Sequence, residues 1–321
     1  MRTVLLAAPR GFCAGVERAV LIVRELLDRL GPPVYVRKQI VHNRHVVAEL
    51  TARGAVFVEE VDQIPPGAVA VFSAHGVAPA VRAAAEAGNL QVYDATCPLV
   101  AKVHAEAVRY ARDGYTIALI GHAEHEEVEG TRGEAADRIR VVSSPDQARA
   151  LDLPGSGDDL VWLSQTTLAV DDVARTADAL RARFPAMADP PGEDICYASQ
   201  NRQNAVKAIA ARCDLLLVVG SANSSNSVRL VEVAQDAGAR AARLLDDGSG
   251  LRPEWLEGVE TVGVTAGASA PEYAVEDLLA ALSEHGFEHV QEIGSVTEEV
   301  TFDLPAALRS PRRADPGSAL T

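Results

Sequence analysis

The sequence predicts an α/β protein of three similar modules with mostly parallel sheets. Hydrophobic runs of strand length alternate with segments of helical period from end to end, the pattern of strands crossed over by helices. Three of the four cysteines, Cys13, Cys97 and Cys196, divide the chain into portions of similar length. Polar turns recur where strands give way to helices, two in each portion, and no motif returns with the roughly 20- to 50-residue period of a solenoid.

In chain order, residues 4–8 read as the first strand. The turn GFCAG leads into a helix that carries Val16, Val20, Val23, Leu27 and Leu30 on one face and stops at Gly31-Pro32-Pro33. Strands follow at 34–36 and 68–72. A strand-like stretch at 90–93 precedes Cys97 and a helix with Val100, Val103, Ala107 and Ala111 on one side. Residues 116–120 and 160–163 are the next strands. Before Cys196 the chain is a loop, Asp189-Pro190-Pro191-Gly192, with only Ile195 hinting at extended structure; Val206, Ile209 and Cys213 then mark a helix face. Strands at 215–219 and 261–264 complete the series. Boundaries near the second and third cysteines give modules at 14–97, 98–195 and 196–282, with a C-terminal segment at 283–321. The loop 152–159 reads as a surface excursion, and the tail beyond Leu308 has too little apolar content to order itself.

Composition narrows the function. With 321 residues and 48% hydrophobic content the chain can bury a real core. No apolar run approaches the roughly 18 residues of a membrane span, and 4–8 is too short for a signal-peptide core, so a cytoplasmic location is expected. Thirty basic against 45 acidic side chains give a net charge of −15, which argues against nucleic-acid or anionic-membrane partners. Screening leaves room for an anionic small molecule if local donors converge on it. Those donors are not a lysine loop: Lys38, Lys102 and Lys207 are the only lysines, and no GK[ST] motif exists.

None of Cys13, Cys97, Cys196 and Cys213 sits in a C-x-x-C pair, which weakens the thioredoxin-like and zinc-ribbon readings, and a cytosolic chain disfavours disulfides. The first three open helices in the small-residue turns GFCAG, DATCP and ICYAS, where a helix N-terminus is expected to lower a thiol's pKa. Three thiolates on an iron-sulfur cubane leave one iron free for substrate. On spacing alone, buried thiols and a metal site are equally compatible. Cys213 lies on the apolar face of its helix and reads as structural.

The polar turns contain His42-Asn43, Ser73-Ala74-His75, His125-Glu126-Glu127, Gln165-Thr166-Thr167, Ser224-Ser225-Asn226 and Ala268-Ser269-Ala270. Open α/β sheets bind ligands at this edge, where hydroxyls, amides, imidazoles and helix N-termini can hold a phosphate without lysine. Any one of Thr166, Ser224 or Asn226 alone is more often a helix cap. Convergence of His42, His75 and His125 with hydroxyls in three modules favours a site; His45, His104 and His122 lack that company. A buried carboxyl of raised pKa could serve as proton donor, and Glu124, Glu126, Glu127 and Glu129 all qualify by composition.

GFCAGV, IVHN, SAHGV, DATCPLV, GHAEHEEVEGT, WLSQTTL, ICYASQNRQ, VVGSANSSNS and VTAGAS together resemble the signature segments of the 4-hydroxy-3-methylbut-2-enyl diphosphate reductase (LytB) family, over nearly the whole chain. The resemblance implies three α/β modules around a central 4Fe-4S cluster held by Cys13, Cys97 and Cys196 with one open iron, and residues 1–13 packing with 196–282. It implies that His42, His75, His125, Thr166, Ser224, Ser225, Asn226 and Ser269 bind the substrate, and that Glu127, with Thr166 and His125 beside it, is catalytic. The implied reaction is reductive dehydroxylation of the allylic diphosphate to isopentenyl and dimethylallyl diphosphate, with electrons from a ferredoxin or flavodoxin and its reductase. Glu126 departs from the proline of many relatives, and Ser199-Gln200 from an expected threonine. The rival readings are a quinolinate-synthase-like cluster enzyme acting on dicarboxylates, a zinc-binding or structural α/β protein, and a cluster-bearing paralogue with another substrate.

Overall fold

The computed structural model describes residues 2–153, 157–294 and 296–309. The chain runs β1 (Thr3–Ala8), α1 (Ala14–Leu30), β2 (Val34–Arg37), α2 (Arg44–Ala52), β3 (Ala55–Val58), β4 (Val69–Phe72), α3 (Pro79–Ala87), β5 (Gln91–Asp94) and α4 (Pro98–Arg112). It continues through β6 (Thr116–Ile120), α5 (Glu126–Glu134), β7 (Ile139–Val142), α6 (Pro145–Ala150), β8 (Leu160–Ser164) and α7 (Val170–Arg183). The last part is α8 (Tyr197–Ala210), β9 (Leu215–Val219), α9 (Ser225–Asp236), β10 (Ala242–Leu245), β11 (Thr261–Ala266), α10 (Glu272–Glu284), β12 (His289–Gly294) and α11 (Ala306–Arg309).

The strands form three sheets, ordered β3-β2-β4-β5, β7-β6-β8 and β10-β9-β11-β1-β12, and their pairings are parallel. Parallel strands need crossover helices that cover both faces, so inner strands become continuously apolar. β9, Leu-Leu-Leu-Val-Val, is buried at every position. β1 leaves its chain neighbours to lie between β11 and β12, so the first strand and the last are hydrogen-bonded partners.

Three expectations are corrected. Residues 289–294, set apart in a C-terminal segment, belong to the third sheet as β12, in register with β1 along its full length. Strands β3, β7 and β10 were not anticipated, although β3, Ala-Val-Phe-Val, is itself a short apolar run. Leu30, placed on the buried face of α1, is 54% exposed because the helix ends there against Gly31; the buried face is completed by Ile22 and Leu26 instead. The expected disorder of the tail concerns residues beyond Leu308, and 310–321 lie outside the described residues, as do 154–156 of the loop at 152–159.

Beyond β12 the chain crosses back over the first sheet's side of the molecule. Glu298 forms an ion pair with Arg202, Arg18 donates to the carbonyl of Asp303, and Leu308 is buried against α1. Arg202 is fully buried; its guanidinium also donates to the carbonyls of Gly11, Phe12 and Ala198, fixing the turn that carries Cys13 against α8. A charged group this deep is tolerated because all of its directions are hydrogen-bonded.

Candidate active site

Cys13, Cys97 and Cys196 are the N-caps of α1, α4 and α8. Each cysteine amide is anchored on a different polar turn: Cys13 N donates to Ala268 O at 3.2 Å, Cys97 N to Ala74 O at 3.0 Å and Cys196 N to Thr166 O at 3.1 Å. These three bonds tie the thiols to the turns that carry Ser269, His75 and Thr166, so cysteines and polar residues face one another by construction. All twelve residues singled out in the sequence, Cys13, His42, His75, Cys97, His125, Glu127, Thr166, Cys196, Ser224, Ser225, Asn226 and Ser269, line one cavity. Among the described residues no lysine or arginine lines it.

The three thiols are free and half-buried. The expectation of ready-made thiolates is corrected for two of them. Burial pushes Cys97 up to about 11 and Cys196 up to about 12, outweighing the amide donors of Leu99 and Val100 on the one and of Ser199 on the other. In the metal-free chain desolvation therefore exceeds the helix N-terminus, and a metal must displace these protons to bind. The surroundings fit an iron-sulfur cluster. Soft sulfur donors from three helices converge without disulfide bonding, and the space between them is kept clear by Gly15, where a Cβ would lie 2.7 Å from Cys97 Sγ and 3.9 Å from Cys13 Sγ. Cys213 lies elsewhere, buried in a hydrophobic cluster with its thiol donating to Ile209 O at 3.2 Å.

Three imidazoles form one wall. His42 stacks on His75 with ring centroids 4.0 Å apart, and His125 meets both edge-on at 5.4 and 5.7 Å. Burial, then mutual repulsion, lowers His42 and His125 to about 3; burial and the charge of Lys38 lower His75 to about 4. All three are neutral at physiological pH. His125 caps α5, its Nδ1 accepting from Glu127 N at 3.2 Å, so its ring proton sits on Nε2 and is available to a ligand.

The hydroxyl wall is ordered from behind. Ser224 caps α9 by accepting from Ser227 N, and Ser269 Oγ donates to His42 O at 2.9 Å. Asn226 Oδ1 accepts from Ala268 N at 2.8 Å, which turns its NH2 toward Ser199 Oγ at 3.3 Å. Gln165 Nε2 donates to Ser225 Oγ at 3.2 Å. Ser224 thus fills the ordinary capping role and also faces the cavity.

Glu127 is 2% exposed. Its carboxyl accepts from Thr166 N at 2.6 Å and from Thr166 Oγ1 at 3.0 Å. Burial raises it to about 7 despite these bonds, with Asp194 adding in the same direction, so acid and carboxylate coexist near neutrality. Of the other glutamates, Glu129 pairs with Lys38 and Arg37, and Glu126 with His75. His45 pairs with Asp247 and His104 with Glu134, away from the cavity.

Sequence reasoning assigned no site role to Gly15, Ser199 or Asp194, and named Thr167 only as part of the turn Gln165-Thr166-Thr167. Gly15 and Ser199 lay inside the cysteine motifs GFCAG and ICYAS, so their signal was proximity to a ligand. Ser199 N and Oγ both bond Cys196 Sγ, at 3.3 and 3.2 Å. Asp194 left no signal, because its influence on Glu127 arises only across the fold.

The LytB protein family model matches residues 4–283. A 4-hydroxy-3-methylbut-2-enyl diphosphate reductase of Tropheryma whipplei is 59% identical over 97% of this chain and 99% of its own. One of Leifsonia xyli is likewise 59% identical, over 96% and 91%. Among solved structures, the E-1-hydroxy-2-methyl-but-2-enyl-4-diphosphate reductase of Plasmodium falciparum superposes with a TM-score of 0.92 at 37% identity, covering 96% of each chain. A second, the (E)-4-hydroxy-3-methyl-but-2-enyl diphosphate reductase described as the terminal enzyme of the non-mevalonate pathway, gives 0.61 at 28% identity over 88% of this chain and all of its own. With a matching model and relatives alike along nearly the whole length, the chain belongs to the LytB family of 4-hydroxy-3-methylbut-2-enyl diphosphate reductases.

Proposed function

We propose that this chain reduces (E)-4-hydroxy-3-methylbut-2-enyl diphosphate to isopentenyl and dimethylallyl diphosphate, the terminal step of the non-mevalonate pathway. The carrying observation is that three helix-capping cysteines, three neutral imidazoles, a hydroxyl-amide cluster and a carboxyl of raised pKa face one cavity.

The diphosphate belongs at the wall of His42, His75, His125, Ser224, Ser225, Asn226 and Ser269. The capping residues of α5 and α9, His125 and Ser224, both line the cavity, so two helix N-termini meet it and favour an anion there. Val41, Ala74, Leu99 and Val100 give the hydrocarbon chain apolar contact. A 4Fe-4S cluster held by Cys13, Cys97 and Cys196, with one iron lacking a protein ligand, would supply the two electrons that break the carbon–oxygen bond. Thr166 Oγ1 donates to Glu127 Oε2 in the carboxylate form; when Glu127 is protonated the bond reverses, and a hydroxyl that both accepts and donates can pass that proton to the leaving oxygen. Two electrons and two protons balance the step: one proton leaves with the hydroxyl as water, and the other ends on a carbon of the allyl group. Its position selects isopentenyl or dimethylallyl diphosphate.

The electrons would come from a ferredoxin or flavodoxin with its reductase. No helix is long and apolar enough to cross a membrane among the described residues, which is in keeping with work in the cytoplasm. Of the modules at 14–97, 98–195 and 196–282 with 1–13, the first would supply Cys97, the third Cys13 and Cys196, and the second His125, Glu127 and Thr166. The test is anaerobic reduction of the substrate by reconstituted protein with an artificial electron donor. Formation of both products supports the reading; a protein with bound cluster and no turnover contradicts it.

A further inference from the structure

Glu126 places a carboxylate beside a cavity that the proposed function fills with a diphosphate. Left to itself such a charge would repel the ligand. Its Oε2 instead lies 3.2 Å from Nδ1 of His75, with both side chains largely buried. Ser73 Oγ stands 3.4 Å from the same nitrogen. The potential ligand atoms of His42, His75 and Glu126 all lie within 4.8 Å of one another, so carboxylate and imidazoles form one compact group.

The nitrogen that faces Glu126 decides what His75 can do. An ionised carboxylate only accepts, so Nδ1 carries the ring proton and Nε2 is left with a lone pair. A lone pair cannot donate to a phosphate oxygen. His125 is arranged the other way, its Nδ1 already accepting from Glu127 N and its Nε2 protonated. His42 Nδ1 lies 3.4 Å from both Gln39 Oε1 and Asn223 Nδ2, which is compatible with either tautomer. Of the three imidazoles, His75 is therefore the one whose neutral form is mismatched to a diphosphate.

Resting on the proposed function, we propose that Glu126 is a positioning residue that makes His75 a proton-taking ligand: diphosphate binding draws one proton from solvent onto His75 Nε2, and the imidazolium is held between phosphate and the Glu126 carboxylate. The surrounding charges agree with this order of events. Burial and the charge of Lys38 keep His75 neutral. Burial raises the Glu126 carboxyl from its ordinary value, and the charges of Lys38 and Arg37 oppose that rise. Lys38 and Arg37 are themselves shared with Glu129. The arriving phosphate supplies the charge that repays protonation of His75, and Glu126 holds the new cation by a charge-assisted bond.

The test is calorimetric binding of inorganic diphosphate to the cluster-loaded chain under anaerobic conditions, in buffers of different ionisation enthalpy. Wild type should take up about one proton more than Glu126→Gln, a change that keeps shape and removes charge. The variant should bind about tenfold more weakly, with KM for the substrate raised and kcat little changed. His75→Asn should lose the same proton, and Glu126→Asp should restore part of it. Unchanged proton uptake or tighter binding in Glu126→Gln overturns the proposal and leaves the diphosphate site standing. Failure of wild type to bind diphosphate overturns both.

Discussion

Gly15→Ala separates cluster binding from folding. Gly15 is buried in the first turn of α1, and an added Cβ would lie 2.7 Å from Cys97 Sγ and 3.3 Å from Cys97 Cβ. Ordinary contact is about 3.5–4.0 Å, so the sulfur must retreat by roughly 1 Å. In the metal-free chain the thiol can swing aside about χ1, and alanine in place of glycine inside a helix gains roughly 0.5–1 kcal/mol. With a cluster bound the sulfur is fixed at a metal–sulfur distance near 2.3 Å, where departures beyond about 0.2 Å are not tolerated. The clash must then be relieved by backbone movement, at an overpacking cost of about 1–3 kcal/mol. That corresponds to a roughly 5- to 150-fold loss in cluster affinity. After anaerobic reconstitution and desalting, iron and sulfide per chain should fall well below wild type, while the melting temperature of metal-free protein stays equal or rises. Full iron retention with normal turnover would refute the assignment of this space to the cluster.

Cys13→Ser, Cys97→Ser and Cys196→Ser should each lose bound iron, while Cys213→Ser keeps it, because that thiol is 4% exposed and bonds a helix carbonyl; iron analysis of the four variants decides, and equal loss from all contradicts the ligand set. Glu127→Gln should keep iron and diphosphate binding but lower turnover by about 10²–10⁴. Since the donor must be protonated and Glu127 sits at about 7, wild-type kcat should fall as pH rises through that value. A flat profile between pH 6 and 8.5, under conditions where chemistry limits turnover, would remove Glu127 from the role. His42, His75 and His125 are held below the ordinary 6.5, so between that value and about 3–4 the unfolded chain binds protons that the folded chain does not. Stability of the metal-free chain should therefore drop as pH falls below 6.5, by about 1 kcal/mol per ring at pH 5.5, and urea midpoints at pH 7.5 and 5.5 measure it.

The inner strands were legible because burial on both faces favours apolar runs, continuous in β9 and broken only by small or hydroxyl residues in β11. β3, β7, β10 and β12 are all edges of their sheets. An edge strand has fewer apolar neighbours to satisfy, and β12, His-Val-Gln-Glu-Ile-Gly, is exposed at five of its six positions. Nothing in such a segment distinguishes strand from loop until β1 is placed beside it. The polar turns were readable because strand-to-helix junctions are where α/β sheets expose ligand-binding groups, and the structure gathers all twelve chosen residues at one cavity. Relations across modules were not readable. The thiols of Cys97 and Cys196 sit at helix N-termini as anticipated, yet burial raises them, a quantity that exists only after three modules close around them. The hold of Glu126 on His75 likewise joins residues 51 positions apart in sequence.

An anaerobic crystal structure of the reconstituted chain with 4-hydroxy-3-methylbut-2-enyl diphosphate bound tests the central claim most directly. It should show Cys13, Cys97 and Cys196 each ligating one iron of a single cluster. The diphosphate should lie among His42, His75, His125, Ser224, Asn226 and Ser269, with the hydroxyl end toward Thr166 and Glu127. A cluster ligated by Cys213, or a diphosphate bound outside this cavity, would contradict it.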